Sequence, residues 1–337
     1  MTIAFSSSVL KFDKTVDLES QNFSHSNELT SLLVKETSFS PYETRKSLHQ
    51  KTDALIFTSD TYMAGCHFDL QDHPQDIARC MIRASLSNMA ACGTHIKGYL
   101  IALSMPEDFD ASWLEIFKAT LVEEENYFQL SSLGDDISVT TGPLTLTLTF
   151  VGVRMIRPKV QAQLGDRIYV TGFLGDREMG HFLSRASSSE ISTQFSDHDV
   201  HYLCTRYFQP DPHIILAKRL LPFINTCLSL SEGLIQDLTH LCSNSQLQAY
   251  IDLKSIPRSE ALQRVGRKMN LDFSNYGFLK GKDRELLFTA PLSEENQISY
   301  LSHVFNLPIT PIGYMGIQQE KGCKNYVSWL RDHLVHE

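Results

Sequence analysis

Four short polar stretches border apolar runs, and their residue types are those that hold cations or cap helices. They are Thr58-Ser59-Asp60-Thr61, Ser87-Asn88, Gly134-Asp135-Asp136 and Ser231-Glu232-Gly233. Carboxylates and hydroxyls together suit a hard cation such as Mg²⁺, which takes oxygen ligands and keeps several waters. Each stretch also has a plain structural reading. The first is a turn ending the apolar run Ala54-Leu55-Ile56-Phe57, because Ser, Thr and Asp bond nearby backbone. Asp135-Asp136 is a loop between a helix and a strand. Ser231-Glu232 is a helix N-cap with an acidic first turn. The P-loop pattern, the strand–G-x-G-x-x-G–helix, the kinase H-R-D and D-F-G sets and the G-x-S-x-G elbow are all missing from the chain.

The elements that would position these residues follow from periodicity. Pro74 to Cys92 has apolar residues at Ile77, Met81, Ala84, Leu86, Met89 and Ala90, with Gly93 placed as a C-cap, and predicts a helix. His95 to Ser104 reads as a strand ending before Pro106, and Ser112-x-x-Glu115 as a capping box opening a second helix. Pro143 to Val153 alternates Leu144, Leu146, Leu148 and Phe150 against Thr145, Thr147 and Thr149. That period of two buries one face and leaves the other to solvent or a partner. Beyond residue 155 the pattern predicts strands at Ile168–Val170, Ala249–Leu253, Glu285–Thr289 and near Ile312, and a helix from Gly233 to Cys242. The serine-rich segment Arg185 to Asp199 reads as a surface loop.

Bulk composition bounds the class. The chain has 337 residues, 42% hydrophobic and 20% charged, which is globular rather than disordered. Its formal net charge of -9 argues against nucleic acid or an anionic membrane as the main partner. The seven cysteines form no C-x-x-C pair and read as free thiols in a reducing compartment. MTIAFSSSVLKFDK lacks the basic start and long apolar block of a secretory signal, and no apolar run approaches the ~18 residues of a membrane span. The expectation is a soluble cytoplasmic protein.

Eight stretches carry a family likeness in order along the chain. They are TSDTYMAGCHF (58–68), SLSNMAACG (85–93), LGDDISVTTGPLTLTLT (133–149), AQLGDRIYVTGFLGD (162–176), QPDPH (209–213), LSLSEGLIQDLTHL (228–241), GKDRELLFT (281–289) and IGYMG (312–316). In these the sequence resembles the thiamine-monophosphate kinase family, within the AIR-synthetase-like superfamily. The resemblance implies an α/β (α+β) fold of two domains. Residues 51–153 would form an ATP- and metal-binding domain, whose mixed sheet pairs with that of a second subunit into a barrel-like homodimer. Residues 154–337 would form a C-terminal α/β domain, and residues 1–50 an N-terminal arm or short helical region.

The implied activity is transfer of the γ-phosphoryl group of ATP to thiamine monophosphate, with Mg²⁺ as cofactor and no covalent enzyme intermediate. At ~4 Å each like-charge pair between the two polyanions costs roughly 1 kcal/mol in water and ~4 at a protein-surface dielectric, so metal ions are needed. By resemblance Thr58, Ser59, Asp60, Asn88, Asp136, Ser229 and Glu232 bind metal. Gly134, Asp135, Asp136, Lys159 and Ser231 bind nucleotide, and His67, Lys282 and Arg331 contact the substrate; His67 also has the reading of a packed strand-end histidine.

Several of these positions depart from the family pattern. ETSFSPYETRK stands where an early Gly-Asp-Asp turn belongs, and Asn88 stands for a helix Asp. Gly134-Asp135-Asp136 replaces Gly-Gly-Asp, Lys159 an Arg, Lys282 a Glu and Arg331 an aromatic. Ser229-Leu230-Ser231-Glu232-Gly233 replaces Asp-x-Ser-Asp-Gly. Fewer carboxylates imply weaker Mg²⁺ binding. The sequence therefore leaves open a kinase, a pseudokinase that binds nucleotide or thiamine phosphate, and a related ATP-dependent enzyme with another small substrate.

Overall fold

Alternation of leucine and threonine builds the first sheet. In a computed structural model that describes residues 2–5, 55–107, 109–155, 161–186, 194–271 and 281–317, strand β5 (Thr145–Arg154) lies between β2 (Leu55–Met63) and β3 (Thr94–Pro106), antiparallel to both. Strand β4 (Ser132–Thr140) adds to β3 in parallel, giving a mixed sheet of order β2-β5-β3-β4. Leu146, Leu148 and Phe150 are fully buried on one face. Two helices cover that face, α1 (Pro74–Ala91) and α2 (Ala111–Phe128), and their Met81, Leu86, Met89, Trp113 and Phe117 join the same core. Each such side chain contributes about 1.5–3 kcal/mol on burial.

The expected helix at 74–92 and the strands at 95–104 and 143–153 are all present, and Gly93 follows the C-cap Cys92 with a φ of 67°. Two local readings change. Helix α2 is capped by Asp110, whose carboxylate accepts the Ser112 N–H at 2.8 Å, two residues before the expected start of the Ser112–Glu115 box. Gly134-Asp135-Asp136 is not a loop but the middle of β4, held by register with Leu100, Ile101 and Ala102. An edge strand with one neighbour needs no apolar residues to keep its ladder, so its sequence resembles a turn.

The second sheet is antiparallel throughout, in the order β1-β8-β10-β6-β9-β7. Its strands are β1 (Thr2–Phe5), β6 (Arg167–Thr171), β7 (Thr226–Ser229), β8 (Gln248–Asp252), β9 (Leu286–Ala290) and β10 (Ile309–Gly316). Six helices accompany it: α3 (Asp176–Arg185), α4 (Asp197–Phe208), α5 (Ile214–Leu220), α6 (Leu234–Ser245), α7 (Glu260–Lys268) and α8 (Glu295–Phe305). Within the segment read as a serine-rich loop, Arg185 ends α3 and Asp197 opens α4. Of the first fifty residues, Thr2–Phe5 form the edge strand β1; the rest of the expected arm lies outside the described residues.

Helix α1 serves both cores. Its Ile77 to Met89 face packs on the first sheet, whereas Ala90 and Ala91 pack with Leu216, Leu220 and Phe288 of the second half. Further ties run alongside. Arg185 of α3 grips Asp72, just before α1, through two bonds of 2.7 and 2.6 Å. Arg83 of α1 binds Glu124 of α2 at 2.8 and 3.0 Å.

Candidate functional site

Strand β2 does not end at Thr58-Ser59-Asp60; it runs on to Met63, so the three side chains alternate between faces. Asp60 points toward α1, where the Ser85 hydroxyl donates to its Oδ2 at 2.6 Å. Tyr62 lies on the same face, with its hydroxyl 3.3 Å from Ser85 Oγ. Thr58 shares that face, and its buried Oγ1 has no hydrogen-bond partner. Ser59 faces the other way and bonds Thr149 across the ladder at 2.9 Å. The Tyr62 phenol is pushed up to about 12, first by burial, with Arg284 opposing and the Asp60 charge adding.

Helix α1 runs antiparallel to β2, since Tyr62 meets Met81 and Ser85 whereas Asp60 meets Ser85. Asn88 therefore stands one turn beyond Ser85, in the direction of Thr58. Ser87 does not join this group: its hydroxyl is buried against the Arg83 carbonyl at 3.0 Å. Sequence reasoning singled out Ser87-Asn88 and missed Ser85. The missed signal is the i, i+3 spacing of Ser85 and Asn88, which shares a helix face, as Ser87 and Asn88 do not.

The register decides where the β4 carboxylates go. Paired residues share a face, and Asp60 pairs with Leu148, Leu148 with Ile101, and Ile101 with Asp135. Asp136 lies in the next row, with Thr61, Thr147 and Ala102, on the open face. Asp60 and Asp136 thus leave the sheet on opposite faces and from its two edge strands. Asp135 is exposed on the helix side, and its charge adds to the burial and the Glu125 hydrogen bond that raise the Tyr99 hydroxyl. Gly134 sits opposite Leu100 on the open face.

The remaining residues lie on other elements. At the end of β2, His67 Nδ1 accepts the Met63 N–H at 3.1 Å and the ring stands edge-on to Tyr62. Ser229 closes β7, and its buried hydroxyl has no partner. The backbone N–H groups of Ser231 and Glu232 donate to Asp237 Oδ2 at 3.0 and 3.1 Å, so the cap of this turn is Asp237 in α6, and Gly233 is the N-cap residue. Burial raises Asp237 to about 6 against those two bonds. Glu232 is half exposed, 3.4 Å from His240 Nε2. Lys282 is exposed, and its carbonyl accepts from Arg177 at 3.2 Å. Lys159 and Arg331 lie outside the described residues.

Asp60 with Ser85 and Tyr62 is therefore the built part of the site, flanked by Thr58 and Asn88. Among the described residues no group of three or more His, Cys, Asp or Glu side chains is placed to hold a metal ion. A single carboxylate on one face with the orphaned Thr58 hydroxyl, with Asn88 one helical turn beyond Ser85, still fits Mg²⁺, which is commonly held by one or two carboxylates, waters and substrate phosphates. No helix among the described residues is long and apolar enough to cross a membrane.

Comparison with known proteins agrees with this architecture. Residues 46–154, spanning the first sheet and its helices, match the AIR synthase related protein N-terminal domain. The chain is 34% identical over 273 residues to the thiamine-monophosphate kinase of Escherichia coli (strain K12), covering 80% of this chain and 81% of that protein. The crystal structure of thiamine-monophosphate kinase from Stenotrophomonas maltophilia K279a superposes with a TM-score of 0.70 at 31% identity, covering 80% of this chain and 85% of that one. The fold is also that of AaThiL complexed with AMPPCP and TMP, with a TM-score of 0.74 at 24% identity over 89% and 94% of the two chains. Among the described residues, the two sheets and eight helices thus define an α/β protein of the AIR-synthase-related class. Within that class the chain belongs to the thiamine-monophosphate kinase family.

Proposed function

We propose that this chain is an ATP- and Mg²⁺-dependent kinase that phosphorylates thiamine monophosphate to the diphosphate. The 34% identity to the Escherichia coli kinase over four-fifths of the chain carries the reading, and the Asp60–Ser85 pair at the seam of sheet and helix supports it. Asp60, with the Thr58 hydroxyl and the Asn88 amide, is the group we assign to the cation. Bound Mg²⁺ would neutralise the meeting phosphates. Ser85 fixes the rotamer of Asp60 through the hydrogen bond to Oδ2. Gly134, Asp135, Lys159 and Ser231 remain the residues proposed for nucleotide, Ser229 and Glu232 for further cation contacts, and His67, Lys282 and Arg331 for substrate.

Asp136 leaves the sheet on the face opposite Asp60, so we do not assign it to the ion that Asp60 would hold. We assign it instead to the open face, where a second copy of this chain packs in a homodimer. The proposed domain division, between residues 153 and 154, lies at the end of β5. A cytoplasmic setting suits a chain that uses ATP.

Turnover of ATP, Mg²⁺ and thiamine monophosphate to thiamine diphosphate tests the activity directly. Asp60→Asn is expected to lower kcat at least a hundredfold, and an active variant would show that the cation sits elsewhere. That no group of three or more His, Cys, Asp or Glu side chains is placed for a metal among the described residues favours a second reading, a binding protein without turnover. Tight ADP binding with no product from the wild-type protein would establish it.

A further inference from the structure

Arg284 is a buried cation that the described residues leave largely unanswered. It is 9% exposed, and its Nε and Nη1 lie buried without any hydrogen-bond partner. Both carboxylates beside it in sequence are committed elsewhere. Asp283 accepts the N–H groups of Gly175 at 2.9 Å and Arg177 at 3.1 Å. Glu285 takes the Thr171 hydroxyl and the Arg206 guanidinium, and shares a 2.6 Å bond with His213. No carboxylate among the described residues forms an ion pair with Arg284.

The backbone holds this arginine in an uncommon conformation. Its φ is +62°, the left-handed region that residues with a Cβ rarely adopt, and its N–H donates to the Leu230 carbonyl at 3.0 Å. Arg284 is thereby pinned beside the Ser229–Ser231 turn at the end of β7. Leu230, which its N–H meets, directly follows β7, a strand packed on α1, the helix whose Ser85 holds Asp60. Two more unpartnered buried hydroxyls belong to elements packed on α1, Thr58 of β2 and Ser229 of β7. A guanidinium is a fork of five donors with no acceptor, and its geometry matches the paired oxygens of phosphate or carboxylate.

We propose that Arg284 is an oxyanion-binding residue that receives the phosphate monoester group of this chain's small-molecule ligand. Its buried donors, left unpaired by the protein, are met by ligand oxygens. It distinguishes the phosphorylated ligand from the free alcohol and acts as a specificity determinant. The oxyanion site stands on the geometry of Arg284; only the choice of thiamine monophosphate as a probe rests on the proposed activity.

Calorimetric titration of the full chain with thiamine monophosphate, thiamine and inorganic phosphate tests the assignment. Arg284→Gln is expected to weaken thiamine monophosphate and phosphate about 10- to 100-fold, the effect of a lost charge-assisted bond, with thiamine unchanged. Unchanged phosphate and monophosphate binding, or an equal loss for thiamine, overturns it. Phosphate binding that vanishes in the variant while thiamine monophosphate fails to bind the wild type supports the anion site and rejects the thiamine reading. Failure of the wild type to bind either anion overturns the site itself. Melting without ligand supplies the structural control. Arg284→Met should melt no lower than wild type, because an unpaired buried charge is removed; a clear drop makes the guanidinium a structural part of the core and overturns the proposal.

Discussion

Glu285 shows what a fully partnered buried charge looks like one residue away from Arg284. Burial alone would raise its pKa, but His213 and then Arg206 more than reverse this and hold the carboxyl at about 2. His213 moves the opposite way: burial would lower it, yet the Glu285 carboxylate raises it above its ordinary 6.5. The signs set a pH window. The stability from Glu285 is present above its ordinary 4.5 and is lost as pH falls toward 2. The stability from His213 is complete below 6.5 and is lost as pH rises through its raised folded value. Glu285→Gln should therefore destabilise the protein by about 3–5 kcal/mol near pH 6, by leaving two cations without a counter-charge. Urea unfolding with an unchanged slope would measure it, and a loss below about 1 kcal/mol would mean the pair is not a stabilising unit. The variant should also lose the acid-side part of the pH dependence.

At the scale of elements, close approach of backbones holds the first sheet in register. A Cβ on Gly98 would stand 2.2 Å from the Ser131 carbonyl oxygen, which accepts the Tyr99 N–H at 3.0 Å. Gly98→Ala should force β3 and the chain entering β4 apart and cost about 1–3 kcal/mol, as overpacking does; an unchanged denaturation midpoint would contradict this. Helix α1 and strand β5 were legible in the sequence because period and burial coincide in them, and Gly93 marked the helix end. Strand β4 was not, because its ladder comes from β3 and its own residues spell a turn. Helices α3, α4, α5, α7 and α8 were also missed; α3 and α4 bury only four and three residues, too few to set a clear period. The candidate site divides in the same way. Residue type identified Asp60, but its partner Ser85 and the face of Asp136 depend on register, which a strand's own sequence leaves unspecified by one residue. Arg284 gave no sequence signal, because its meaning lies in neighbours that turn away from it.

At the scale of the molecule, the described elements cover one face of the first sheet and leave the other bare. The bare face carries Leu55 and Phe57, both more than half exposed, and Leu100 at 43% exposure. Rows of paired hydroxyls run beside them, Ser59–Thr149 at 2.9 Å, Thr61–Thr147 at 3.0 Å and Ser104–Ser138 at 3.0 Å. Both edges of this sheet, β2 and β4, have a single strand neighbour. Exposed apolar side chains on an open face between two free strand edges are what a self-associating surface presents, and a two-fold axis would cover both copies at once. The proposed homodimer follows, with Asp136 buried in the new contact. Phe57→Asp with Leu100→Asp places two charges on that face without touching the Leu148–Phe150 core, so the fold should survive while the dimer dissociates. Sedimentation equilibrium at micromolar concentration should show twice the chain mass for the wild type and the single-chain mass for the variant. A wild-type protein that sediments as a monomer would leave the bare face without a partner, and Asp136 would then be a solvent-exposed carboxylate with no role in the site.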